Sequence, residues 1–398
     1  MGLNPKSEIR NPKLQRLVPA LLDWFLRNAR DLPWRRTRDP YAIWVSEIML
    51  QQTQVKTVIP FWERWMRALP TIRAAANASP DKIHKLWEGL GYYTRVRNLQ
   101  KAAQVLVEKH HGTFPQIFDD VLALPGVGRY SAGAICSIAF NQPTPILDGN
   151  VIRVLTRVFG IGENPKERAA NLKLWKLAEE LVCHAKTFRP AEAPGEPARD
   201  DARLNKNQNC SHLNQSLMEL GALVCTPRQP QCPACPVRKF CAAFRDKRVG
   251  ELPKLDKRTL ATARHFTAFV VERQGRVLVR QRPGGVVNAH LWEFPNIESD
   301  GAAAKDVFKS IFGITPPILQ PLCTVKHSIT RYRITLEAYL AQFGGRSFTM
   351  RKIPRARGVH PSESSGVWLT PAEMRRLAFS SAHKKLVSAA ADCILSGR

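Results

Sequence analysis

The sequence predicts a multidomain protein, with an all-α domain followed by an α+β domain. Through the first two-thirds of the chain, apolar residues recur at the three- and four-residue spacing of helices. From about residue 265 they alternate with the period of two that is typical of strands. A basic stretch that contains Pro253 separates the two patterns. We therefore predict a helical domain over residues 1–244, a linker over 245–263 and an α+β domain over 264–398.

Charge and composition restrict the class of partner. The chain has 398 residues, of which 44% are hydrophobic, and a formal net charge of +27. Such an excess favours a polyanion, either nucleic acid or an acidic membrane surface. There is no apolar run of membrane-spanning length, and the N-terminus lacks the pattern of a signal peptide. We expect an intracellular, cytoplasmic, nucleoid-associated monomer that binds nucleic acid rather than a membrane.

The second predicted helix carries the first candidate catalytic residue. Asp39 and Pro40 form a helix start, and Glu47 follows on or beside an apolar face that includes Ile43 and Trp44. An exposed glutamate on a solvated face is the usual alternative. Burial would instead raise the pKa of Glu47, as a proton donor requires.

A glycine-flanked loop with two adjacent tyrosines follows the next helices. Its sequence is Gly-Leu-Gly-Tyr-Tyr at residues 89–93. One interpretation is a packed loop. The other is an aromatic wedge, with Tyr92 or Tyr93 entering a stack of bases.

A tight hairpin between two helices lies at the centre of the helical domain. Helical spacing over residues 118–122 ends at Pro125, Gly126 and Gly128, and a second helix of small residues follows from Ser131. Glycines permit a sharp turn and leave backbone N–H groups free at a helix N-terminus, a site that holds phosphate. The alternative is an ordinary helix–helix turn.

Asp148 is the second candidate acid. It is followed by Gly149 and Asn150, and its carboxylate can point back at a sugar that the hairpin holds. Glu47 and Asp148 together suggest cleavage of an N-glycosidic bond. One acid protonates the leaving base, and the other, ionised, stabilises the positive charge that develops on the sugar.

Four of the nine cysteines cluster late in the helical part of the chain. Cys225, Cys232, Cys235 and Cys241 have six, two and five residues between them. A single short pair with longer flanking gaps favours a 4Fe–4S cluster, whereas a zinc knuckle normally has two short pairs. The other cysteines are scattered. We expect a metal centre in a reducing compartment rather than a disulfide framework.

Two further stretches complete the organisation of the chain. Residues 187–210 break the helical pattern with prolines, charges and amides, and we predict an exposed insertion without chemistry. After the linker we predict a hairpin of residues 265–272 and 277–282, further strands and three helices, of which the last covers 381–395.

In combination, these motifs resemble the MutY adenine DNA glycosylases of the helix-hairpin-helix superfamily, to which endonuclease III also belongs. The resemblance covers about the first two-thirds of the chain. It is carried by the four-cysteine loop and by residues 32–35, 46–55, 89–93, 124–128 and 146–151. It implies removal of adenine mispaired with 8-oxoguanine, or with guanine, from double-stranded DNA in base excision repair. The adenine is flipped out of the duplex.

The resemblance also implies roles for individual residues. Glu47 matches the acid that protonates the five-membered ring of adenine, and Asp148 matches the carboxylate that stabilises the oxocarbenium ion. Tyr130 and Asn150 match residues that support these two acids. Gln52 and Tyr92 match side chains that fill or wedge the stack of bases. Arg35 and Glu219 match positions of the adenine pocket.

Tyr130 separates two kinds of relative. Endonuclease III-like enzymes have a lysine there, whose amine attacks the sugar and leads to strand cleavage, and tyrosine cannot form that Schiff base. The sequence therefore predicts a monofunctional glycosylase. A bifunctional glycosylase-lyase for oxidised pyrimidines and a non-catalytic iron–sulfur protein that binds DNA or senses redox state are the alternatives.

The C-terminal part resembles the Nudix-like domain of the same family, which recognises 8-oxoguanine. Residues 301–313 lack the paired glutamates of Nudix pyrophosphatases, so metal-dependent hydrolysis is not expected. His-Ser-Ile-Thr-Arg at residues 327–331 stands at the family's recognition loop. Thr330 keeps a hydroxyl for the lesion base, whereas Ile329 and Arg331 depart from the family pattern.

Overall fold

The computed structural model describes residues 12–189, 208–256, 260–316, 318–329, 331–342 and 366–395. The chain divides into two compact units, Met1–Ala76 with Asn98–Lys257 and Asn77–Arg97 with Arg258–Arg398. The segment Asn77–Arg97 thus belongs by its contacts to the unit of the C-terminal domain, although its sequence pattern placed it in the helical domain. Most of the predicted insertion lies outside the described residues, as does Thr330.

As far as it is described, the chain before residue 246 contains helices and no strand. Single 3-10 turns occur at Pro33–Arg35, Cys232–Ala234 and Arg238–Phe240. The α-helices are α1 (Pro12–Asn28), α2 (Pro40–Leu50), α3 (Val55–Ala68), α4 (Ile72–Asn77), α5 (Pro80–Trp87), α6 (Thr94–His110), α7 (Phe118–Leu122), α8 (Arg129–Phe140), α9 (Gly149–Phe159), α10 (Arg168–Thr187), α11 (Asn209–Leu223) and α12 (Ala242–Arg245). No described helix has the length and apolar character needed to span a bilayer.

Local sequence signals account for the helices that carry the candidate acids. The Asp39 side chain accepts a 3.0 Å hydrogen bond from the Tyr41 N–H, and Pro40 occupies the first position of α2. Asp148 caps α9 in the same way, by accepting a 2.7 Å bond from the Val151 N–H. Asp39 and Asp148 therefore each cap the start of a helix. Glu47 lies about two helical turns after Asp39, within α2.

A core formed by α1, α8, α9, α10 and α11 supports the first unit. The apolar face of α1 contributes residues such as Leu17 and Leu21, and Leu217 of α11 and Val154 of α9 pack in the same cluster. Each of these side chains is at most 2% exposed. Because α9 and α11 share this core, their polar faces are held in a fixed relation to each other.

Part of the predicted linker is bonded to the helical unit. The backbone carbonyl of Leu252 accepts a 2.9 Å bond from Arg157 Nε on α9, and Asp256 accepts a 2.8 Å bond from the Asn164 side chain. The first strand of the second unit begins at Thr262. The stretch before residue 257 is thus anchored to the helical unit.

The second unit is built on a mixed sheet. Its strands are β1 (Thr262–Arg273), β2 (Arg276–Gln281), β3 (Trp292–Glu293), β4 (Asn296–Glu298), β5 (Leu319–Ile329), β6 (Tyr332–Gln342) and β7 (Val367–Leu369). The order is β3-β2-β1-β6-β5, with β4 paired to β1 and β7 paired to β2. Strands β1 and β6 are parallel, with Phe269 opposite Tyr339, and the other pairs are antiparallel.

Helices cover both faces of this sheet. They are α13 (Ala304–Phe312), α14 (Pro371–Met374) and α15 (Ser381–Leu395). Phe269 of β1 packs with Phe308 of α13, whereas its neighbour Val270 lies in a separate core with Leu386 of α15. Successive residues of a strand point to opposite faces, so a buried run in β1 supplies both cores.

Candidate active site

A cavity of about 520 Å³ in the first unit brings together side chains that are far apart in the sequence. Its walls come from α2, from the turn after α2 and from the starts of α8 and α9, with α11 closing one side. Among the residues lining it are seven that the sequence singled out: Arg35, Glu47, Gln52, Tyr130, Asp148, Asn150 and Glu219.

Glu47 is buried, with 5% of its surface exposed. Loss of water on burial is the main cause that raises its pKa, the nearby Asp148 adds a smaller rise, and the resulting pKa is about 7. The Tyr130 hydroxyl donates a 2.8 Å hydrogen bond to Glu47 Oε2 and opposes part of this rise. A substantial fraction of Glu47 is therefore still protonated near neutral pH.

Asp148 is half-buried and is surrounded by hydrogen-bond donors. Burial raises the pKa of Asp148, but bonds from the Val151 N–H at 2.7 Å and the Asn150 amide at 3.1 Å favour the ionised form. The N-terminus of α9 also favours a negative charge at this position. Asp148 is thus the more readily ionised acid of the two.

Arg153 holds this second acid in place, and sequence reasoning did not identify it. Arg153 Nη2 donates to Asn150 Oδ1 at 2.8 Å and to the Gly221 carbonyl on α11 at 2.7 Å. Arg153 Nε donates to the Cys225 carbonyl at 2.7 Å. The sequence signal that could have identified Arg153 is its position three residues after Asn150, where two side chains of a helix are neighbours. Arg153 therefore links the Asp148 site to the start of the cysteine loop.

Glu219 forms the centre of a second polar group. It is buried, and although burial opposes ionisation, hydrogen bonds from Arg30 and Arg35 lower its pKa to about 2. Arg30 donates from Nε and Nη2 at 2.7 and 2.6 Å, and Arg35 from Nη1 and Nη2 at 3.1 and 3.0 Å. Arg30 lines the cavity too, and it was not predicted. This wall presents two fixed guanidinium groups held by one carboxylate.

The glycine hairpin has the geometry that its sequence predicted. Gly126 has φ +75°, and a Cβ at this position would lie 2.5 Å from Asn98 Cβ. Gly128 is the N-cap residue directly before α8, and it has no side chain to cap that N-terminus. A Cβ on Gly128 would meet open space. The hairpin is thus tightly packed at Gly126 and open at Gly128, beside the free N–H groups of α8.

Both candidate wedge residues have strained backbones. Gln52 has φ +57° and Tyr92 has φ +49°, values uncommon for residues with a side chain. Gln52 lines the cavity, whereas Tyr92 lies in the second unit and is 47% exposed. Such strain concentrates at functional positions.

The predicted recognition loop is shorter than its sequence indicated. Residues 327–329 continue strand β5, where Ser328 pairs with Arg333 and Ile329 pairs with Tyr332 of β6. Strand β5 ends at Ile329 and strand β6 begins at Tyr332, so only Thr330 and Arg331 lie between them in the sequence.

The four cysteines of the predicted metal centre line one cavity. Arg157 contacts two of them, since its Nη1 lies 3.3 Å from Cys225 Sγ and its carbonyl accepts from Cys241 Sγ at 3.4 Å. Burial raises the pKa of Cys235 to about 12, and the neighbouring thiols add to the effect. Within the described residues, no three His, Cys, Asp or Glu side chains are arranged to hold a metal ion. The donor set suits a thiolate-bound cluster, although the thiols do not form a coordination sphere.

Comparison with known proteins identifies two sequence families in the chain. Residues 45–180 match the model of the HhH-GPD superfamily base excision DNA repair proteins, and residues 267–389 match the NUDIX domain. The chain is 35% identical to the adenine DNA glycosylase of Rattus norvegicus, over 92% of this chain and 76% of that protein. It is 34% identical to the Homo sapiens adenine DNA glycosylase, over 92% and 72% of the two chains.

A solved structure is similar to a large part of this chain. The structure of a thermostable thymine-DNA glycosylase is 29% identical, with a TM-score of 0.50, and it covers 59% of this chain and 98% of its own. The predicted combination of a helix-hairpin-helix domain and a Nudix-like domain is confirmed.

Proposed function

The chain belongs to the adenine DNA glycosylase family, whose members hydrolyse an N-glycosidic bond in base excision repair, and we propose that its substrate is adenine mispaired with 8-oxoguanine or guanine. We propose further that the enzyme is monofunctional and acts as an intracellular monomer on double-stranded DNA. The observation that carries the proposal is that Glu47, a buried acid with a raised pKa, lines the same cavity as Asp148.

Glu47 acts as the general acid in this proposal. Tyr130 donates to Oε2, so the proton of the acid resides on Oε1, the oxygen available to a base in the cavity. Transfer of that proton to the five-membered ring of adenine makes the base a better leaving group as the bond to the sugar C1′ breaks. A positioned proton transfer of this kind accelerates a reaction by about 10²–10⁴-fold.

Asp148 stabilises the cation that remains. Loss of the base leaves positive charge on the sugar, and an ionised carboxylate beside it lowers the free energy of that charge. Water then adds to C1′ and returns its proton to the Glu47 carboxylate. The products are free adenine and an abasic sugar, and Glu47 is again protonated.

The remaining cavity residues supply recognition. Arg30 and Arg35, both held by Glu219, present N–H donors to the flipped base. We assign the glycine hairpin at Gly126 and Gly128 to a DNA phosphate, which free N–H groups at a helix N-terminus bind well. Gln52 and Tyr92 fill or wedge the stack. Base extrusion costs a few kcal/mol of lost stacking, which these contacts offset.

We assign reading of the opposite base to the C-terminal domain. Thr330, which follows β5 in the sequence, lies outside the described residues, and its hydroxyl is our candidate contact to 8-oxoguanine. The exposed Ser328 on β5 supplies a second hydroxyl in the same hairpin.

A 4Fe–4S cluster held by Cys225, Cys232, Cys235 and Cys241 completes the proposal. When bound, the cluster would join the four cysteines after α11 and make that loop rigid. No step of base removal passes through the cluster. Arg238 and Lys239 lie in that loop. They are candidates for phosphate contacts because the loop would hold them in place.

A single-turnover assay tests the proposed substrate. Three duplexes carry adenine opposite 8-oxoguanine, guanine or thymine, and the released base is measured with enzyme in excess. We expect fast excision opposite 8-oxoguanine, slower excision opposite guanine and little opposite thymine. Equal rates on all three duplexes would contradict the proposed specificity.

The same assay tests the acid. Glu47→Gln should lose excision by at least about 10²-fold while it still binds the duplex, because glutamine has no proton to donate. The matched control is Glu63→Gln, which changes an exposed glutamate on α3 and should excise like the wild type. Full excision by Glu47→Gln would refute the assignment.

A further inference from the structure

Glu88 joins the tyrosine loop, residues 89–93, to the C-terminal part of the second unit. It is buried, with 8% of its surface exposed, and it directly precedes the loop at the end of α5. Its Oε1 accepts a 3.0 Å bond from the Phe379 N–H, and its Oε2 accepts bonds from Lys384 at 3.0 Å and from Lys85 at 2.9 Å. Two of these donors lie almost 300 residues away along the chain.

Neighbouring bonds fix the same segment to the same domain. Lys85 Nζ also donates to the Leu377 carbonyl at 2.9 Å, and Arg97 Nη1 donates to the Ala289 carbonyl at 3.0 Å. One bond lies before the tyrosine loop and the other after it. The loop is therefore attached to the C-terminal domain on both of its sides.

Internal bonds give the loop a defined shape. Trp87 Nε1 donates to the Gly91 carbonyl at 3.0 Å, and Arg95 Nη2 donates to the Leu90 and Gly91 carbonyls at 3.1 Å. The Arg95 guanidinium lies 5.6 Å from the centre of the Tyr92 ring. This bracing holds the exposed Tyr92 at its strained φ of +49°. A shift of Glu88 would therefore move Tyr92 with it.

We propose that Glu88 is a positioning residue that holds the Tyr92 loop in register with the C-terminal domain, so that recognition of the base opposite adenine also places the wedge. The proposal rests on the function proposed above, in which that domain reads 8-oxoguanine. Its physical basis is a buried carboxylate that accepts two ammonium donors and one backbone donor, an arrangement in which each bond is charge-assisted.

Hydrogen exchange tests the attachment without any reference to catalysis. In Glu88→Ala, the Phe379 amide loses its acceptor, and we expect faster exchange at Phe379 and across residues 89–93. Glu88→Gln keeps an oxygen for Phe379 but loses the charge that binds the lysines, so its exchange should be intermediate. Glu108→Gln, at an exposed position of α6, is the matched control and should exchange like the wild type. Unchanged exchange in Glu88→Ala would overturn the proposal.

Single-turnover excision tests the consequence. With enzyme below saturation, Glu88→Ala should lose about tenfold in excision opposite 8-oxoguanine, the loss expected when charge-assisted bonds are removed. The loss opposite guanine should be smaller, and the rate at saturating enzyme should stay within about twofold of the wild type, because the chemical groups are untouched. Equal losses opposite both bases would overturn the link to base recognition.

Two further comparisons separate a failure of this proposal from a failure to fold and from a failure of the proposed function. If Glu88→Ala does not fold, Lys384→Gln replaces it, since Lys384 is exposed and its loss should give the same exchange pattern at smaller amplitude. If the wild type removes adenine from no duplex, the proposed function fails, and the exchange measurement alone still decides whether Glu88 holds the loop.

Discussion

The Tyr130 hydroxyl donates a 2.8 Å hydrogen bond to Glu47 Oε2 across 83 residues of sequence. This bond fixes the orientation of the buried acid, and Oε1 is the oxygen that we assign to the transferred proton. It also opposes the rise in the Glu47 pKa that burial causes, so the two effects together set the pKa at about 7. The pair thus gives the site an acid that is half protonated near neutral pH.

The first prediction concerns pH. Because the proposed mechanism requires protonated Glu47, the single-turnover excision rate should fall about tenfold per pH unit above about 7. The rate should also fall at acid pH as Asp148 takes up a proton. Because burial raises the pKa of Asp148, this fall should begin at a higher pH than for an ordinary aspartate. The rate is measured on one duplex from about pH 5 to about pH 9.

Tyr130→Phe provides the check on this assignment. The variant keeps the ring and removes a bond that favours ionised Glu47, so the alkaline limb should move to higher pH. An alkaline limb that stays in place in Tyr130→Phe, or a flat profile above pH 7 in the wild type, would contradict the role of Glu47.

The second prediction is that Glu47 destabilises the fold at neutral and alkaline pH. Its pKa rises from an ordinary 4.5 to about 7 on folding, so between these values the native state binds more protons than the unfolded state. Stability therefore falls as pH increases through this range, by about 3 kcal/mol in total.

Glu47→Gln should remove that dependence. The variant should resemble the wild type near pH 4.5 and be more stable at pH values above about 7, as measured by the denaturation midpoint of the helical unit. Glu63→Gln should show no such gain, because Glu63 is exposed. A Glu47→Gln protein that is less stable than the wild type at high pH would contradict this prediction.

The third prediction concerns the packing behind Asp148. A Cβ at Gly221 would lie 2.6 Å from Asn150 Cβ, whereas a Cβ at Gly250 would meet no atom within 4 Å. Gly221→Ala should displace Asn150 and weaken its bond to Asp148, with a loss of excision rate of roughly tenfold or more. Gly250→Ala should retain the wild-type rate. Comparable rates for the two variants would show that Asn150 does not act through this contact.

The fourth prediction separates glycosylase from lyase chemistry. Tyr130 has no amine, so it cannot form a Schiff base with the sugar. Borohydride added during excision should trap little covalent protein–DNA adduct, and strand cleavage should require alkali or heat after base release. A trapping yield comparable to that of a true lyase would favour a bifunctional enzyme.

The fifth prediction concerns the cysteine loop. The purified protein should contain about four iron and four sulfide ions per chain. Cys232→Ser should lose them, whereas Cys183→Ser, which changes an exposed cysteine of α10 outside the loop, should keep them. Iron and sulfide are measured by chemical analysis. Stoichiometric zinc in place of iron would contradict the assignment.

Local signals in the sequence were sufficient for most of the fold. Asp39 and Pro40 start α2 because one caps and the other preorganises the first turn. The hairpin could be identified because Pro125, Gly126 and Gly128 break the helical pattern. At Gly126, positive φ and close packing are the physical reason for glycine. The sequence extended the recognition loop too far, since β-pairing between β5 and β6 depends on a partner strand that spacing alone does not show.

The sequence by itself determined the periodicity of helix and strand, the two-domain order and the cysteine spacing, and it indicated the two candidate acids, because each depends on residues close together in the chain. Only the tertiary structure decided that Glu47 is buried enough to hold a proton and that Arg30 and Arg153 support the cavity. It also decided that Asn77–Arg97 belongs with the C-terminal unit. The physical reason is that a pKa and a buried ion pair depend on excluding water, and the side chains that exclude it come from distant parts of the chain.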